Sequence, residues 1–249
     1  LRWRRRKGRD QGAVDLLADQ PDSVDHESLW WRERSILARR FLNDGKAQQA
    51  YAIASGHKAT EGFPFADAEW FSGFIALRFL NDPETAFKHF QAMYMKVRFP
   101  VSLSRGAYWA GRAAEAAGKP LIAYKWYDVA AKHTTSFYGQ MAAHHLSDSK
   151  RPRLPQDPVA TPEQSAGCEA DPIVKVIPMV AAVKARKPVA TLLRHLGRGA
   201  ESSAQYALAA DLAINTNHAG EAVYIARQAI KAGTVLIESG YPTVPVPPG

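Results

Sequence analysis

The sequence predicts an all-α fold, a solenoid of antiparallel helix pairs followed by a smaller helical domain. Three observations carry that prediction. Apolar residues fall at helical spacing, the paired pattern recurs at a steady period, and alternating β-branched runs are scarce before residue 170.

The plainest unit runs from Arg105 to Lys132. Trp109, Ala113 and Ala116 fall at i, i+4 and i+7, one stripe of a helix. The small residues Ala110, Gly111, Ala114 and Ala117 flank that stripe and let a second helix approach closely. Gly118 supplies a stop, because glycine takes the left-handed conformation beyond a helix end without steric cost. Pro120 suits the first turn of the next helix, where an N–H is not needed. That helix carries Ala123, Trp126, Tyr127, Ala130 and Ala131 on its apolar side. Two helices joined by so short a turn form an antiparallel pair.

The pattern repeats. First helices align on Trp31, Trp70 and Trp109, in steps of 39 residues. Second helices align on Ala50-Tyr51, Ala86-Phe87 and Ala123-Tyr124, in steps of 36 and 37. Such a period marks a helical solenoid, whose units cannot bury their apolar faces alone. It exceeds the roughly 34 residues of a tetratricopeptide repeat, whose own pattern is only partly present. Asp44-Gly45 divides the first pair. Asn81-Asp82-Pro83 divides the second, with Asp82 as N-cap and Pro83 at the first helical position. Phe99-Pro100 closes that unit, and Thr134 or Thr135 caps a further helix through Ser136–His144.

Residues 1–150 are thus assigned to a helix-pair domain. Residues 151–172 read as a proline-rich linker, punctuated by Pro152, Pro155, Pro158, Pro162 and Pro172. Helices resume behind Asp171-Pro172, over about 173–186, 188–197, 200–216 and 219–233, and give a smaller helical domain at 173–236. Residues 237–249 read as a proline-rich tail that cannot be helical and has no core of its own.

Composition narrows the function classes. At 249 residues, 46% hydrophobic and 22% charged, the chain lies in the ordinary globular range and can bury a sizeable core. No apolar run approaches the roughly 20 residues needed to span a bilayer. Cys168 is the only cysteine, which excludes an intramolecular disulfide framework and a cysteine-based zinc site. The net charge is +8, and residues 1–10 supply +5 of it, six basic residues against Asp10. The Arg2–Arg9 cluster reads as a solvated helix remnant, and no nucleic-acid partner is expected, because the remaining +3 forms no distributed basic face. No apolar stretch follows the cluster, so the chain holds no complete signal peptide, and its start at Leu1 predicts a piece of a longer product.

Motifs for chemistry are sparse. Phosphate loops, dinucleotide fingerprints, HExxH and GxSxG are absent, and neither a cofactor nor a metal is expected. His144 and His145 project about 100° apart on a helix and cannot share an ion, so a surface place near a helix C-terminus is predicted. Cys168 has no histidine beside it in sequence to activate a thiol. Glu33, Glu69 and Glu115 read as ion pairs on a solvated face. Trp70, Tyr108, Trp109, Trp126 and Tyr138 are of the kind that stacks on sugar rings, and they are also placed to form inter-helix core.

Four stretches in order resemble the soluble lytic murein transglycosylases. They are Ala68-Glu-Trp-Phe-Ser-Gly-Phe-Ile-Ala-Leu-Arg78, His89-Phe90, Ser104-Arg-Gly-Ala-Tyr-Trp-Ala-Gly-Arg-Ala113 and Ser136-Phe-Tyr-Gly-Gln140. Residues 1–150 are similar to the later part of that family's ring-shaped superhelical U domain. Residues 173–236 resemble its L linker domain, with Gly240-Tyr241-Pro242 as the approach to the catalytic domain. The resemblance implies a right-handed, tetratricopeptide-like superhelix in the periplasm. It further implies peptidoglycan glycan strands as partner, cleaved without water to 1,6-anhydro ends by a separate lysozyme-like domain. Cell-wall synthesis proteins are a further class of partner it allows. Trp70, Tyr108, Trp109, Arg112 and Tyr138 are then the glycan-binding candidates. Glu238-Ser239 matches the first two letters of the family's catalytic segment, but Gly240 and Pro242 break the helix and no Gly-Leu-Met-Gln follows. No catalytic residue is therefore assigned, and the chain alone is expected to be inactive. The alternative reading is a tetratricopeptide-like protein-interaction scaffold.

Overall fold

The computed structural model describes residues 1–21, 25–146, 154 and 156–243. Among them every regular element is a helix, as the periodicity predicts. The chain divides into two compact units, Leu1–Pro152 and Arg153–Gly249. None of the described helices is long and apolar enough to cross a membrane.

The first unit holds α1 (Arg2–Arg6), α2 (Asp10–Ala18), α3 (Glu27–Asn43), α4 (Ala47–Ser55), α5 (Gly62–Phe79), α6 (Pro83–Lys96), α7 (Pro100–Ala116), α8 (Pro120–Ala131) and α9 (Phe137–Leu146). From α3 onward each helix packs on its successor, and α3 also meets α5, α5 meets α7, and α7 meets α9. The punctuation read from sequence sets the ends. Asp82 accepts from the Thr85 amide at 3.0 Å, Pro83, Pro100 and Pro120 open their helices, and Gly118 sits at φ +70°.

Within a pair, glycine on the first helix admits an aromatic ring from the second. A Cβ at Gly73 would lie 2.8 Å from the Phe90 ring, and one at Gly111 would lie 2.7 Å from Tyr127. Phe90 is fully buried, worth about 2–3 kcal/mol in removed apolar surface. The cap of α9 differs from expectation. Ser136, rather than Thr134 or Thr135, accepts from the Gly139 amide at 3.0 Å, because the hydroxyl must stand three residues ahead of the N–H it satisfies.

The second unit holds α10 (Pro162–Ala170), α11 (Pro172–Ala182), α12 (Arg186–Gly199), α13 (Ser203–Asn215) and α14 (Ala219–Lys231). Ile177, Val189, Leu193, Ile225 and Leu236 fill its core together with alanines of α13 and α14. One expectation needs correction here. The predicted linker at 151–172 contains α10, which packs on α11 and α13. Its proline is an N1 residue, since Thr161 accepts from the Gln164 amide while Gln164 Oε1 accepts from the Thr161 amide. Pro152 and Pro155 lie outside the described residues.

The predicted tail is also anchored where it begins. Leu236 and Ser239 are buried, and the Asp157 carboxylate accepts from the amides of Ile237, Glu238 (3.2 Å) and Ser239 (3.1 Å) and from the Ser239 hydroxyl (2.9 Å). Burial alone would push Asp157 up, but the backbone donors outweigh it and hold the carboxyl below its usual range. The rest of the tail, 244–249, lies outside the described residues.

Candidate functional site

The first helices of successive pairs are stitched together by polar and cationic contacts. Trp31 Nε1 on α3 donates to Asp67 Oδ2 on α5 at 3.0 Å. Asp67 lies 3.9 Å from both Arg39 and Arg105, the latter on α7. The Arg105 guanidinium carbon stands 3.8 Å from the centroid of the Trp70 ring, a cation–π contact. Burial lowers the Arg105 pKa, while Tyr138 on α9 and Asp67 act in the opposite sense. One arginine thus ties α5, α7 and α9.

The five glycan-binding candidates fall on these helices, but they are not equivalent. Trp70 receives Phe74 stacked at 5.1 Å and Arg105 over its ring, so its faces are occupied. Trp109 packs among Trp70, Phe74, Phe90 and Tyr108. Tyr108 is 4% exposed and forms a hub, with Tyr127 at 5.8 Å, Tyr138 at 5.5 Å and His145 at 5.8 Å between ring centroids. These three aromatics are chiefly inter-helix packing. Arg112 and Tyr138 keep partial exposure around the hub. Arg112 Nη1 donates to the Tyr108 hydroxyl at 3.2 Å, which raises the arginine pKa against the effect of burial. Phe137, 68% exposed, lies against Tyr138 at 5.2 Å and extends the patch. His145 is exposed as predicted for that helix end, yet its ring stacks on Tyr127 at 4.6 Å.

A buried acid network escaped the sequence reading. Glu69 is 13% exposed at its side chain and lies between two histidines, with His57 Nε2 3.3 Å from one oxygen and His89 Nδ1 2.6 Å from the other. His89 Nε2 is in turn 3.0 Å from the Tyr51 hydroxyl. Burial pushes the Glu69 carboxyl up, but the hydrogen bonds and charges of His57 and His89 outweigh it and bring the group down to about 2. Glu69 is therefore not an ion pair on a solvated face. Glu33 is buried as well, and Arg5 reaches it at 2.6 Å, whereas Glu115 is exposed and pairs with Arg112 and the Tyr127 hydroxyl. No local pattern marks it, since its members come from α4, the segment after α4, α5 and α6.

Tyrosine, histidine and carboxylate in series resemble a proton relay, but the chemistry is not set up for attack. Burial raises the Tyr51 pKa, the opposite of an activated nucleophile. The void against His57 is about 10 Å³, room for one water at most. This network clasps α4, α5 and α6.

In the second unit, a cavity of about 530 Å³ brings Cys168 and His195 together, which sequence spacing did not reveal. Burial, Asp171 and Glu169 all push the Cys168 thiol up, so it is not an activated thiolate. Glu238 contributes its amide to Asp157. Arg4 and Arg5 of the basic cluster are committed internally, to the Gly12 carbonyl and to Glu33. Among the described residues no group of three or more acidic, histidine or cysteine side chains is placed to hold a metal. No protein-family model, curated protein or solved structure matches this chain significantly.

Proposed function

We propose that this chain is the non-catalytic superhelical portion of a periplasmic lytic murein transglycosylase, where it positions glycan strands or the lysozyme-like domain of a longer product. The observation that carries the reading is the row of helices α3, α5, α7 and α9, each touching the next, the first three at the 39-residue spacing of the tryptophans. A stacked array of this kind offers a long surface at little cost in core volume. Arg112, Tyr138 and Phe137 supply a cation and apolar ring edges, which suit a sugar polymer bearing carboxylates.

Retention on purified insoluble peptidoglycan, followed through a salt titration, tests the reading. The full chain should be retained at low salt, and Arg112→Ala and Tyr138→Ala should each weaken retention at least about threefold, or about 0.65 kcal/mol. Release of anhydromuropeptides should be absent. Failure to bind at low salt would remove the proposal.

A second reading, a protein-interaction scaffold, is favoured by Leu121 on α8, which is 80% exposed beside the exposed Tyr124. Capture of a cell-wall synthesis protein that Leu121→Ser abolishes, without retention on peptidoglycan, would select it.

A further inference from the structure

We infer that a groove between α2, α3 and α4 binds a linear aliphatic carboxylate, with Arg34 as the partner of its charged end. The groove has a volume of about 350 Å³, within the range of small-molecule sites. Val14, Leu17, Phe41, Ala52 and Ile53 make much of its wall, a lining suited to hydrocarbon, and Gln11, Gln49 and Lys58 are its polar members besides Arg34.

Arg34 also lines the groove and is only 4% exposed. Its Nη1 donates to the Ile53 carbonyl at 2.8 Å, and its Nη2 to Gln20 Oε1 at 2.7 Å and the Leu17 carbonyl at 3.4 Å. All three acceptors are neutral, and among the described residues no acidic side chain forms an ion pair with this guanidinium. Arg5 and Arg40 differ, since Glu33 and Asp10 neutralise them.

Burial lowers the Arg34 pKa to about 10. An isolated buried charge is costly unless an opposite charge joins it. The Leu17 and Ile53 carbonyls stand near the C-terminal ends of α2 and α4, where the helix dipoles offer partial compensation. A guanidinium carries five N–H donors, and three acceptors leave two to offer. Gly56 keeps one flank uncovered, since a Cβ there would lie 3.1 Å from Nη1.

The occupant follows from this pairing of surfaces. A polypeptide would strand its amides against the wall, because the lining helices use their own backbone groups. A dianion would meet too much hydrocarbon. One negative charge on an unbranched apolar chain matches one buried cation beside an apolar channel. The groove is independent of the glycan-positioning proposal.

Calorimetry on the full chain tests it, with decanoate, decanol and acetate as probes. Decanoate should saturate one site and bind at least tenfold tighter than decanol, and acetate should give no measurable binding. Ala52→Glu places a carboxylate at an exposed position of the wall and should weaken decanoate at least tenfold with unchanged helicity. Arg34→Met should bring decanoate and decanol to equal affinity; should that variant unfold, Ala52→Glu and the wild-type preference decide. Decanoate no tighter than decanol, uptake without saturation, or an Ala52→Glu variant that binds like the wild type would each overturn the inference.

Discussion

The two units solve core packing with different materials. In the first, buried aromatics such as Trp31, Phe41, Phe71, Phe90, Tyr108 and Tyr127 share the interior with Glu33 and Arg34. In the second, Tyr206 is the only buried aromatic among the described residues, and aliphatic and alanine side chains do the rest. Large rings packed between helices bring polar tips and gaps with them, so buried ion pairs and imidazoles enter as partners. Alanine-lined interfaces need no such partners. The second unit's polar device, the Asp157 clasp, lies instead where the chain leaves its last helix. The difference predicts that charge removal damages the first unit more than the second.

Glu69→Leu should have the largest effect. It strands His57 and His89 without their shared acceptor, at a cost of about 2–3 kcal/mol, since both rings are largely buried. Hydrogen exchange of the α4–α6 amides in the full chain measures it. The sign of the pH dependence follows from the lowered carboxyl. Its stabilisation is complete above the unfolded value of 4.5 and is lost as the pH falls toward about 2. Wild type and variant should therefore converge in acid; a gap that stays constant down to pH 2 would exclude the carboxylate as its source.

Asp157→Ala comes next, at about 2 kcal/mol, through the loss of its bonds to three amides and a hydroxyl. Faster exchange should be confined to the second unit, centred on residues 237–239. If α5 and α6 also exchange faster, the two polar devices are not separate.

Much of this fold was legible because its signals are local. Gly118, Asp82-Pro83 and the tryptophan period each act within a few residues or one repeat, so their meaning survives without coordinates. The capping box Thr161–Gln164 was equally local and was obscured by the prolines around it. The candidate site was less legible. Whether Trp70 presents a free face depends on Arg105, 35 residues away in another helix, and no periodicity reports that. The contacts of Glu69 with His57 and His89, and of Cys168 with the cavity it shares with His195, are likewise set by tertiary packing. Residue type gave the candidates. Their burial decided which remain accessible.

The smallest effect sharpens the contrast most, because both units use the same glycine device. A Cβ at Gly111 would lie 2.7 Å from the Tyr127 ring, and one at Gly197 would lie 2.7 Å from Ile225 Cγ1. Alanine in a helix interior gains about 1 kcal/mol over glycine, so the sign depends on whether the neighbour can give way. Tyr127 is held on several sides, by its bond to Glu115 at 2.9 Å and by His145 stacked at 4.6 Å. Its ring is rigid and cannot turn aside, so Gly111→Ala should lose about 1–2 kcal/mol net. The conflict at Ile225 is with the Cγ1 methylene of a fully buried, β-branched side chain that is stiff at χ1, but it involves one atom, and a slight helix shift relieves part of it. Gly197→Ala should therefore also lose stability, but less than Gly111→Ala, about 1 kcal/mol or under. Denaturant midpoints with exchange assigned to each unit distinguish the two. Equal losses at both sites would mean that helix spacing, and not the rigidity of the facing side chain, sets how tightly each unit is packed.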